Sequence, residues 1–225
     1  MLFLTVSDEV VPVVYSLNAR ERFGHVDAVF ACGDLPYYYL EFIVSTLNVP
    51  CLYVHGNHDK PEQQADGTVR YEPQGCLSVE GRCARVGDVI VAGLGGSLSY
   101  NNEGDAQYTE RQMARRVLRL VPRLLLNYQR YGRYVDVFLT HAPPLDIHNG
   151  PDLPHRGFKV FLNVMDRFKP RYLIHGHIHR SYAVNAVTET RYNETTVINT
   201  AGYGLLTVEA LPTHRGATPS LSSDE

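Results

Sequence analysis

The sequence predicts an α/β fold with a largely buried, mixed β-sheet. Most apolar runs are continuous stretches of β-branched or aromatic residues, which is typical of strands covered on both faces. Strand-like and helix-like segments alternate early in the chain, and this alternation favours helices layered on a sheet. Residues 77–96 instead have the pattern of a hairpin that turns near Gly81 or Gly87, so antiparallel strands are expected as well.

Seven segments have the composition of strands, being rich in Val, Ile, Leu, Phe and Tyr. They are residues 2–6, 26–31, 51–54, 89–92, 135–140, 172–175 and 196–208. Helices are predicted over residues 10–22, 36–48, 108–131 and 157–168. Pro12 and Pro36 stand in the opening turns of the first two, where the missing N–H costs no helical hydrogen bond.

The second predicted helix begins with three consecutive tyrosines, Tyr37 to Tyr39. Consecutive helical positions are about 100° apart, so the three rings cannot all face the core and at least one should be exposed. Half-buried packing is the ordinary interpretation. The alternative is an aromatic wall for a substrate ring, because the tyrosines follow Asp34 closely.

The long predicted helix over residues 108–131 combines an apolar stripe with many arginines. The pattern favours a solvated arginine face, with a partner or substrate surface as the alternative. Pro122 lies inside this helix and predicts a kink or a break. The arginines are Arg111, Arg115, Arg116, Arg119, Arg123 and Arg130.

Length and charge limit the class of protein. With 225 residues, of which 44% are hydrophobic, the chain is long enough for one sizeable core. We predict a single domain over residues 1–210 and a flexible tail over residues 211–225, which lack apolar periodicity. The formal net charge of −3 argues against a protein that coats nucleic acid.

Cysteine spacing and hydropathy predict the compartment. The four cysteines form no C-x-x-C pair, and a domain of this size needs no disulfides. The N-terminal apolar run is too short for a secretory signal, and no run approaches the length of a membrane span. We therefore expect a soluble, cytoplasmic protein.

Polar clusters stand at the ends of five predicted strands. In an open α/β sheet the carboxyl ends of the strands border the crevice where ligands bind, so these clusters are expected to form one site. They are Ser7-Asp8, Cys32-Gly33-Asp34, residues 55–59 (HGNHD), residues 140–144 (THAPP) and residues 175–179 (HGHIH).

The residue types in these clusters suit a divalent cation. Carboxylate oxygens and imidazole nitrogens are the usual ligands of first-row metals, and an Asn carbonyl oxygen can complete the set. Each cluster alone has an ordinary interpretation, since Asp8 could cap a helix and His141 could be a loop residue bonded to backbone. Five clusters in one chain favour a metal site.

The order of these motifs resembles the calcineurin-like metallophosphoesterase superfamily, and in particular its small phosphodiesterase-like branch in bacteria and archaea. The resemblance extends from Asp8 to His179, through "GD" at 33–34, "GNHD" at 56–59, "THAPP" and "GHIH" at 176–179. It implies a four-layer αββα sandwich of two mixed β-sheets flanked by helices. It also implies a centre of two divalent ions at one end of the sandwich.

The same resemblance implies the metal ligands. Asp34 would bridge the ions, and the first ion would also be held by Asp8 and His179. The second ion would be held by Asn57, His141 and His177. Mn²⁺ is the expected metal, with Fe, Ni, Co or Zn as alternatives.

Catalytic and substrate-binding residues are implied in the same way. His58 would be the catalytic histidine, Asp59 the acid that orients it, and Asn57 and His58 would touch the substrate. Tyr37 and His155 are further candidates for substrate contact. The expected reaction is attack of a metal-bound hydroxide on a small phosphate ester or nucleotide, with a modest preference for a diester.

One position departs from the family pattern, whose first motif is usually Asp-x-His. Val10 stands where the histidine is expected, and Glu9 is not expected to substitute for it, because neighbouring side chains on an extended segment point to opposite faces. A weakened first metal site follows. The open outcomes are a two-metal enzyme with a labile first ion, a one-metal enzyme, or a catalytically reduced protein that serves as a binding scaffold.

Overall fold

The computed structural model describes residues 1–101, 106–179 and 187–209, and these residues form fifteen strands and four helices. The helices are α1 (Ala19–Phe23), α2 (Tyr37–Leu47), α3 (Glu110–Tyr131) and α4 (Lys159–Phe168). The strands are β1 (Leu2–Ser7), β2 (Ala28–Ala31), β3 (Cys51–Tyr53), β4 (Glu62–Gln63), β5 (Val69–Arg70), β6 (Cys76–Ser78), β7 (Cys83–Val86), β8 (Val89–Leu94), β9 (Ser97–Leu98), β10 (Gln107–Tyr108), β11 (Val137–Thr140), β12 (Tyr172–His175), β13 (Glu189–Tyr192), β14 (Thr195–Asn199) and β15 (Gly202–Thr207).

Two mixed sheets form the centre of the fold. The first sheet has the order β15-β1-β2-β3-β6, in which only the β15–β1 pair is antiparallel. The second sheet has the order β13-β14-β12-β11-β8-β7, with parallel pairing at its centre and antiparallel pairs at both edges. The β7–β8 hairpin confirms the antiparallel element predicted within residues 77–96.

The main core lies between the two sheets. Alternate residues of each strand point to opposite faces, so Phe3 and Phe30 enter this core together with Val137 and Leu139 of the opposite sheet. The intervening residues pack outwards against helices. Since each strand is covered on both faces, its sequence is continuously apolar, as predicted.

Helices cover the outer face of each sheet. On the first sheet, Tyr39 and Ile43 of α2 belong to one buried cluster with Val29 of β2. On the second sheet, α3 and α4 build another cluster, in which Leu120 and Phe161 join strand residues such as those of β11. These four layers confirm the αββα sandwich.

Helix α3 has the predicted length and continues through Pro122. The N–H that Pro122 lacks would have bonded the carbonyl of Leu118, a residue that is 68% exposed, so solvent can satisfy that carbonyl. Thr109 and Gln112 form a reciprocal capping box at its start. The apolar stripe faces the core, and most of the arginine face is exposed, as the sequence indicates.

The prediction of a helix over residues 10–22 is wrong for its first part and holds only from Ala19 onward. The chain makes turns after Asp8, with the N–H groups of Val14 and Tyr15 both donating to the Val11 carbonyl, and a helix begins only at Ala19. The apolar side chains of this segment pack on the first sheet without helical periodicity.

The strand predicted over residues 196–208 is two strands. Residues 195–199 belong to the second sheet and residues 202–207 to the first, so the chain passes between the sheets at Thr200 and Ala201. The predicted tail, residues 211–225, lies outside the described residues, as does residue 210.

Candidate metal centre

Polar side chains from both sheets meet at one end of the sandwich. They follow β1 and β2 in the first sheet and β11 and β12 in the second, together with the loop after β3. Because parallel strands present their carboxyl ends at the same edge, the clusters that the sequence separates by more than a hundred residues are neighbours in space.

Three of the predicted ligands form a compact pocket. One ligand atom each of Asp34, His141 and His177 lies within 4.8 Å of the others, and both histidines are buried. The Nε2 atom of His141 is 3.2 Å from Oδ2 of Asp34. Among the residues that the structure describes, this is the one group of acidic, histidine or cysteine side chains whose ligand atoms lie as close together as in a metal site.

The ring of His141 is oriented by a backbone carbonyl. Its Nδ1 lies 2.7 Å from the carbonyl oxygen of Cys32, which can only accept, so Nδ1 carries a proton and Nε2 faces Asp34. Burial opposes a charge on this ring, but the facing carboxylates of Asp34 and Asp8 raise the pKa of His141 to about 10. Burial alone would raise the pKa of Asp34, but His141 outweighs it and holds that pKa well below its usual range.

The ring of His177 is oriented in the same manner. Its Nε2 lies 2.8 Å from the carbonyl oxygen of Pro154 and donates to it, which leaves Nδ1 with a lone pair. Burial, reinforced by the nearby charge of His141, lowers the pKa of His177 to about 3. A neutral imidazole with one free lone pair is the form that binds a cation.

Asn57 completes the donor set, and this set fits a cation. Its Oδ1 is 3.1 Å from Nε2 of His141, so three lone-pair atoms, from Asp34, Asn57 and His141, converge on one point. Such an arrangement is repulsive unless a proton or a cation lies among the atoms. The buried Nδ2 of Asn57 has no hydrogen-bond partner among the described residues. Two oxygens and an imidazole nitrogen suit a first-row divalent metal.

Two glycines let the loops of the site approach one another. A Cβ atom on Gly56 would overlap the carboxylate of Asp34, and one on Gly176 would overlap the side chains of Ser7 and Asp8. Only glycine fits at such contacts. The glycines of "GNHD" and "GHIH" are therefore required for the close approach of these loops to Asp34, Ser7 and Asp8.

Asp8 sits at a tight turn beside this pocket. It has φ of +65°, the N–H of Glu9 donates to the carbonyl of Ser7 at 2.7 Å, and the Asp8 carboxylate accepts a bond of 3.0 Å from the N–H of His177. Burial raises the pKa of Asp8, against the opposing charge of His141. Asp8 thus joins the end of β1 to the "GHIH" loop.

The turn corrects the expectation for Glu9. The segment is not extended, because of the positive φ at Asp8, and the Glu9 carboxylate lies 3.4 Å from Nδ1 of His179. Val10 packs against the outer hydrophobic cluster of the first sheet instead of facing the pocket. His179 lies on the Glu9 side of the site and is outside the compact group of three.

His58 is exposed at the rim of the site. Among the contacts described, its one hydrogen bond is from its backbone N–H, which donates to Oδ1 of Asp34 at 2.8 Å. Asp59 has a different surrounding from the one predicted: its two oxygens accept bonds from the N–H groups of Leu35 at 3.0 Å and Gly56 at 2.8 Å. Asp59 therefore joins two loops through backbone, rather than holding the ring of His58 through these contacts.

Two cavities lie against the "GNHD" loop, and the smaller one reaches Asp34 of the pocket. One, of about 360 Å³, is lined by Asp34, His58 and Lys60, among others. The second, of about 470 Å³, is lined by three tyrosines, Tyr37, Tyr71 and Tyr108, with Glu80 and Arg116. Tyr37, Asp59 and Pro61 line both, so the cavities share a wall. Tyr37 and Tyr39 are buried and Tyr38 is half exposed, which confirms the prediction for the tyrosine run.

The remaining histidines among the described residues have other surroundings. His155 pairs with Asp152 at 2.7 Å, and its ring centre is 5.3 Å from that of His177. His148 lies 2.9 Å from the buried His175 and contacts Thr190. His55 lines the larger cavity, and His25 is exposed.

Some positioning groups could not be found from the sequence. The carbonyls of Cys32 and Pro154 carry no side-chain signal, although each sets a histidine tautomer. Asn199 holds the "GHIH" loop by donating to the carbonyl of Ile178 at 2.8 Å. Its only signal is its position at the end of a strand.

The sequence profile of calcineurin-like phosphoesterases matches residues 14–181, which is most of the chain. The chain belongs to the calcineurin-like phosphoesterase family. The matched range contains Asp34, "GNHD", His141 and "GHIH", and begins after Asp8. Membership supports a metal-dependent phosphoesterase, and hydrolysis of phosphate esters is the activity that the family indicates.

Two solved structures have the same fold as this chain. One crystal structure has a TM-score of 0.63 at 16% identity and covers 91% of this chain and 94% of its own. The protein TT1561 of Thermus thermophilus has a TM-score of 0.59 at 15% identity, with 89% of each chain covered. Vps29 from Entamoeba histolytica has a TM-score of 0.46 at 14% identity, covering 93% of this chain and 87% of its own.

The search of curated proteins returned no significant match. No helix among the described residues combines the length and the apolar character needed to span a bilayer.

Proposed function

We propose that this protein is a phosphodiesterase that requires divalent metal ions, with Mn²⁺ as the preferred ion, and that it acts on a small phosphate diester in the cytoplasm. The observation that carries the proposal is the convergence of Asp34, Asn57 and His141 on one point, with His177 beside them. The free thiols of all four cysteines support a reducing compartment.

The proposed cation would be held by Asp34, Asn57, His141 and His177. A bound divalent ion supplies positive charge that stabilises phosphate oxygens and lowers the pKa of water near neutrality. The chain itself orients the ligands and keeps Asp34 ionised and His177 neutral, whereas the ion must displace the proton on Nε2 of His141. The Cys32 and Pro154 carbonyls hold the two imidazoles in the tautomers that expose a lone pair.

His58 is the proposed proton donor. Its side chain is exposed at the rim of the site, where a substrate can contact it. Its backbone N–H is bonded to Asp34, and this bond fixes the position from which the ring extends. Water forms the new bond to phosphorus and releases a proton to the solvent, while the bond to the leaving oxygen breaks and protonated His58 transfers its proton to that oxygen. Lys60, exposed in the same cavity, adds positive charge for a phosphate group.

The larger cavity supports a substrate with an aromatic ester group. Its volume of about 470 Å³ accommodates a ring system, and Tyr37, Tyr71 and Tyr108 line it. The Tyr37 hydroxyl donates to the carbonyl of Tyr71 at 2.7 Å, which fixes the ring of Tyr37 in the wall. A nucleobase or another aryl group is the proposed occupant.

Hydrolysis of bis(p-nitrophenyl) phosphate and p-nitrophenyl phosphate, measured with Mn²⁺, Fe²⁺, Co²⁺, Ni²⁺ and Zn²⁺ in turn, tests the proposal. We expect a higher kcat/KM for the diester than for the monoester, and the highest rate with Mn²⁺. If the protein binds metal but hydrolyses neither substrate with any of the metals, the proposal of an enzyme is overturned and a binding scaffold is favoured.

The aromatic cavity has its own test. Tyr71 is exposed and lines the cavity, so Tyr71→Ala should raise KM for bis(p-nitrophenyl) phosphate about tenfold and affect KM less for methyl p-nitrophenyl phosphate, which has a methyl group in place of one aryl group. Tyr100→Ala, outside the residues that line either cavity, is the control. Equal effects on both substrates would remove the aryl site from the proposal.

A further inference from the structure

The turn at Asp8 brings two consecutive acidic side chains to the site. A positive φ is unfavourable for a residue other than glycine, so it persists only where the surroundings hold it. Here the Asp8 N–H donates to the carbonyl of Gly33 at 3.2 Å, and the carboxylate accepts from the N–H of His177 at 3.0 Å. These contacts fix the turn from two different loops.

The direction of Glu9 follows from this turn. Its Oε1 is 3.4 Å from Nδ1 of His179, and its Oε2 lies close to Gly202 at the start of β15. An exposed carboxylate–imidazole pair at this distance contributes little to stability. A contact that stabilises the fold weakly, at the rim of a metal pocket, is better explained by a ligand that both groups share.

Glu9 and His179 lie beside the buried charges of the site. The Asp8 carboxylate accepts from the N–H of His177, two residues before His179, so the two segments that carry these side chains are joined at this point. The Glu9 side chain is 51% exposed and that of His179 is 34% exposed, so both are accessible to a ligand. Two carboxylates and one imidazole are a suitable donor set for a divalent cation.

We infer that Glu9 is a metal ligand and takes the place of the missing histidine at the ion that the family resemblance assigns to Asp8 and His179. This group of Asp8, Glu9 and His179, beside the pocket of Asp34, His141 and His177, is called the Glu9 site below. This inference rests on the metal dependence proposed above and adds a residue to it. Val10, whose side chain packs against the outer hydrophobic cluster, takes no part. The tight turn at Asp8 thus supplies a ligand one position earlier in the chain than the Asp-x-His pattern does.

Metal stoichiometry tests the inference without any activity measurement. Equilibrium dialysis against Mn²⁺ with elemental analysis should give two ions per wild-type chain, with different affinities. Glu9→Gln removes the charge at almost constant shape. It should weaken Mn²⁺ binding at the Glu9 site about 10–100-fold and leave binding at the Asp34 pocket unchanged. Glu9→Asp keeps the charge with a shorter reach and should lie between the two.

Two controls separate Glu9 from its neighbours. Glu21→Gln changes an exposed acid on α1 and should bind Mn²⁺ like the wild type. Val10→His should also leave both affinities within about twofold, because position 10 faces the hydrophobic cluster. Circular dichroism verifies that each variant is folded.

Three results would overturn the inference. They are one ion per wild-type chain, two ions bound by Glu9→Gln as tightly as by the wild type, or a higher Mn²⁺ affinity of the Glu9 site in Val10→His. None of these results would by itself contradict the phosphodiesterase proposal, since a one-metal protein that hydrolyses the diester would retain it. Conversely, two ions that depend on Glu9 in a protein without hydrolysis would support the site and reject the activity.

Discussion

The carboxylate of Asp59 accepts a hydrogen bond of 3.0 Å from the backbone N–H of Leu35. Its other oxygen accepts from the N–H of Gly56, so one side chain joins the loop that carries Asp34 to the loop that carries Asn57. The position of one metal ligand relative to another therefore depends on a carboxylate that is not itself in the compact metal pocket.

Asp59→Asn should lower the free energy of unfolding by about 1–3 kcal/mol, because an amide can accept at only one of the two positions and presents an N–H to the other. Urea denaturation of the metal-free protein measures the change. Glu21→Gln, at an exposed site, should alter stability by less than about 0.5 kcal/mol. Unchanged stability with a shifted pH profile of kcat would instead favour the predicted role in orienting His58.

Added metal should stabilise the fold through the Asp34 pocket. Mn²⁺ at roughly 100 times its Kd adds about 2.7 kcal/mol, since the ion binds the assembled site and not the unfolded chain. For a chain of this size the melting temperature should rise by roughly 5–10 °C, and EDTA should reverse the rise. Scanning calorimetry with and without Mn²⁺ measures it.

The His141→Ala variant provides the control for this shift. The variant removes the most buried of the pocket's imidazoles and should show a clearly smaller rise with Mn²⁺, which comes from the Glu9 site alone. An equal rise in the variant and the wild type would mean that the stabilising ion binds elsewhere.

His58→Ala should lower kcat by about 10²–10⁴-fold, with Mn²⁺ stoichiometry and melting temperature unchanged. The reason is that the side chain is exposed and supplies a proton to the leaving group without holding the fold together. Steady-state hydrolysis of the diester measures the loss. His25→Ala, also exposed, should keep wild-type activity. A lower Mn²⁺ content in His58→Ala would assign His58 to the metal rather than to proton transfer.

Gly176→Ala should weaken Mn²⁺ binding about 10–100-fold, because its Cβ would displace the side chains of Ser7 and Asp8. Overpacking of this kind should also reduce stability by about 1–3 kcal/mol. Gly81→Ala meets no atom within 4 Å and only the strain of a positive φ, so it should lose stability but bind Mn²⁺ normally. Normal binding by Gly176→Ala would show that Asp8 is not held as described.

Motif order predicted the fold and most of the site because both depend on residues with distinctive chemistry. Continuous apolar runs indicate strands buried on two faces, and Asp34, His141 and His177 meet at the sheet edge as expected. The roles of the individual ligands, including which residues share an ion, remain predictions.

The turn at Asp8 could not be predicted, because it is held by contacts from residues far along the chain. The periodicity of residues 10–22 favours a helix, yet the bonds of Asp8 to Gly33 and His177 set a positive φ that redirects the chain before a helix can start. Local pattern rules assumed that side chains alternate here. Tertiary hydrogen bonds overrode that assumption, and with it the interpretation of Glu9.

The pairing of β1 with β15 also has a consequence for folding. Leu2 pairs with Thr207 and Ser7 with Gly202, so one edge of β1 is closed by a strand from much later in the chain. Contacts this distant in sequence form late and slowly. Asp8 follows β1 directly, so we expect its turn to reach its final position late in folding, and metal binding at this turn to follow the docking of β15.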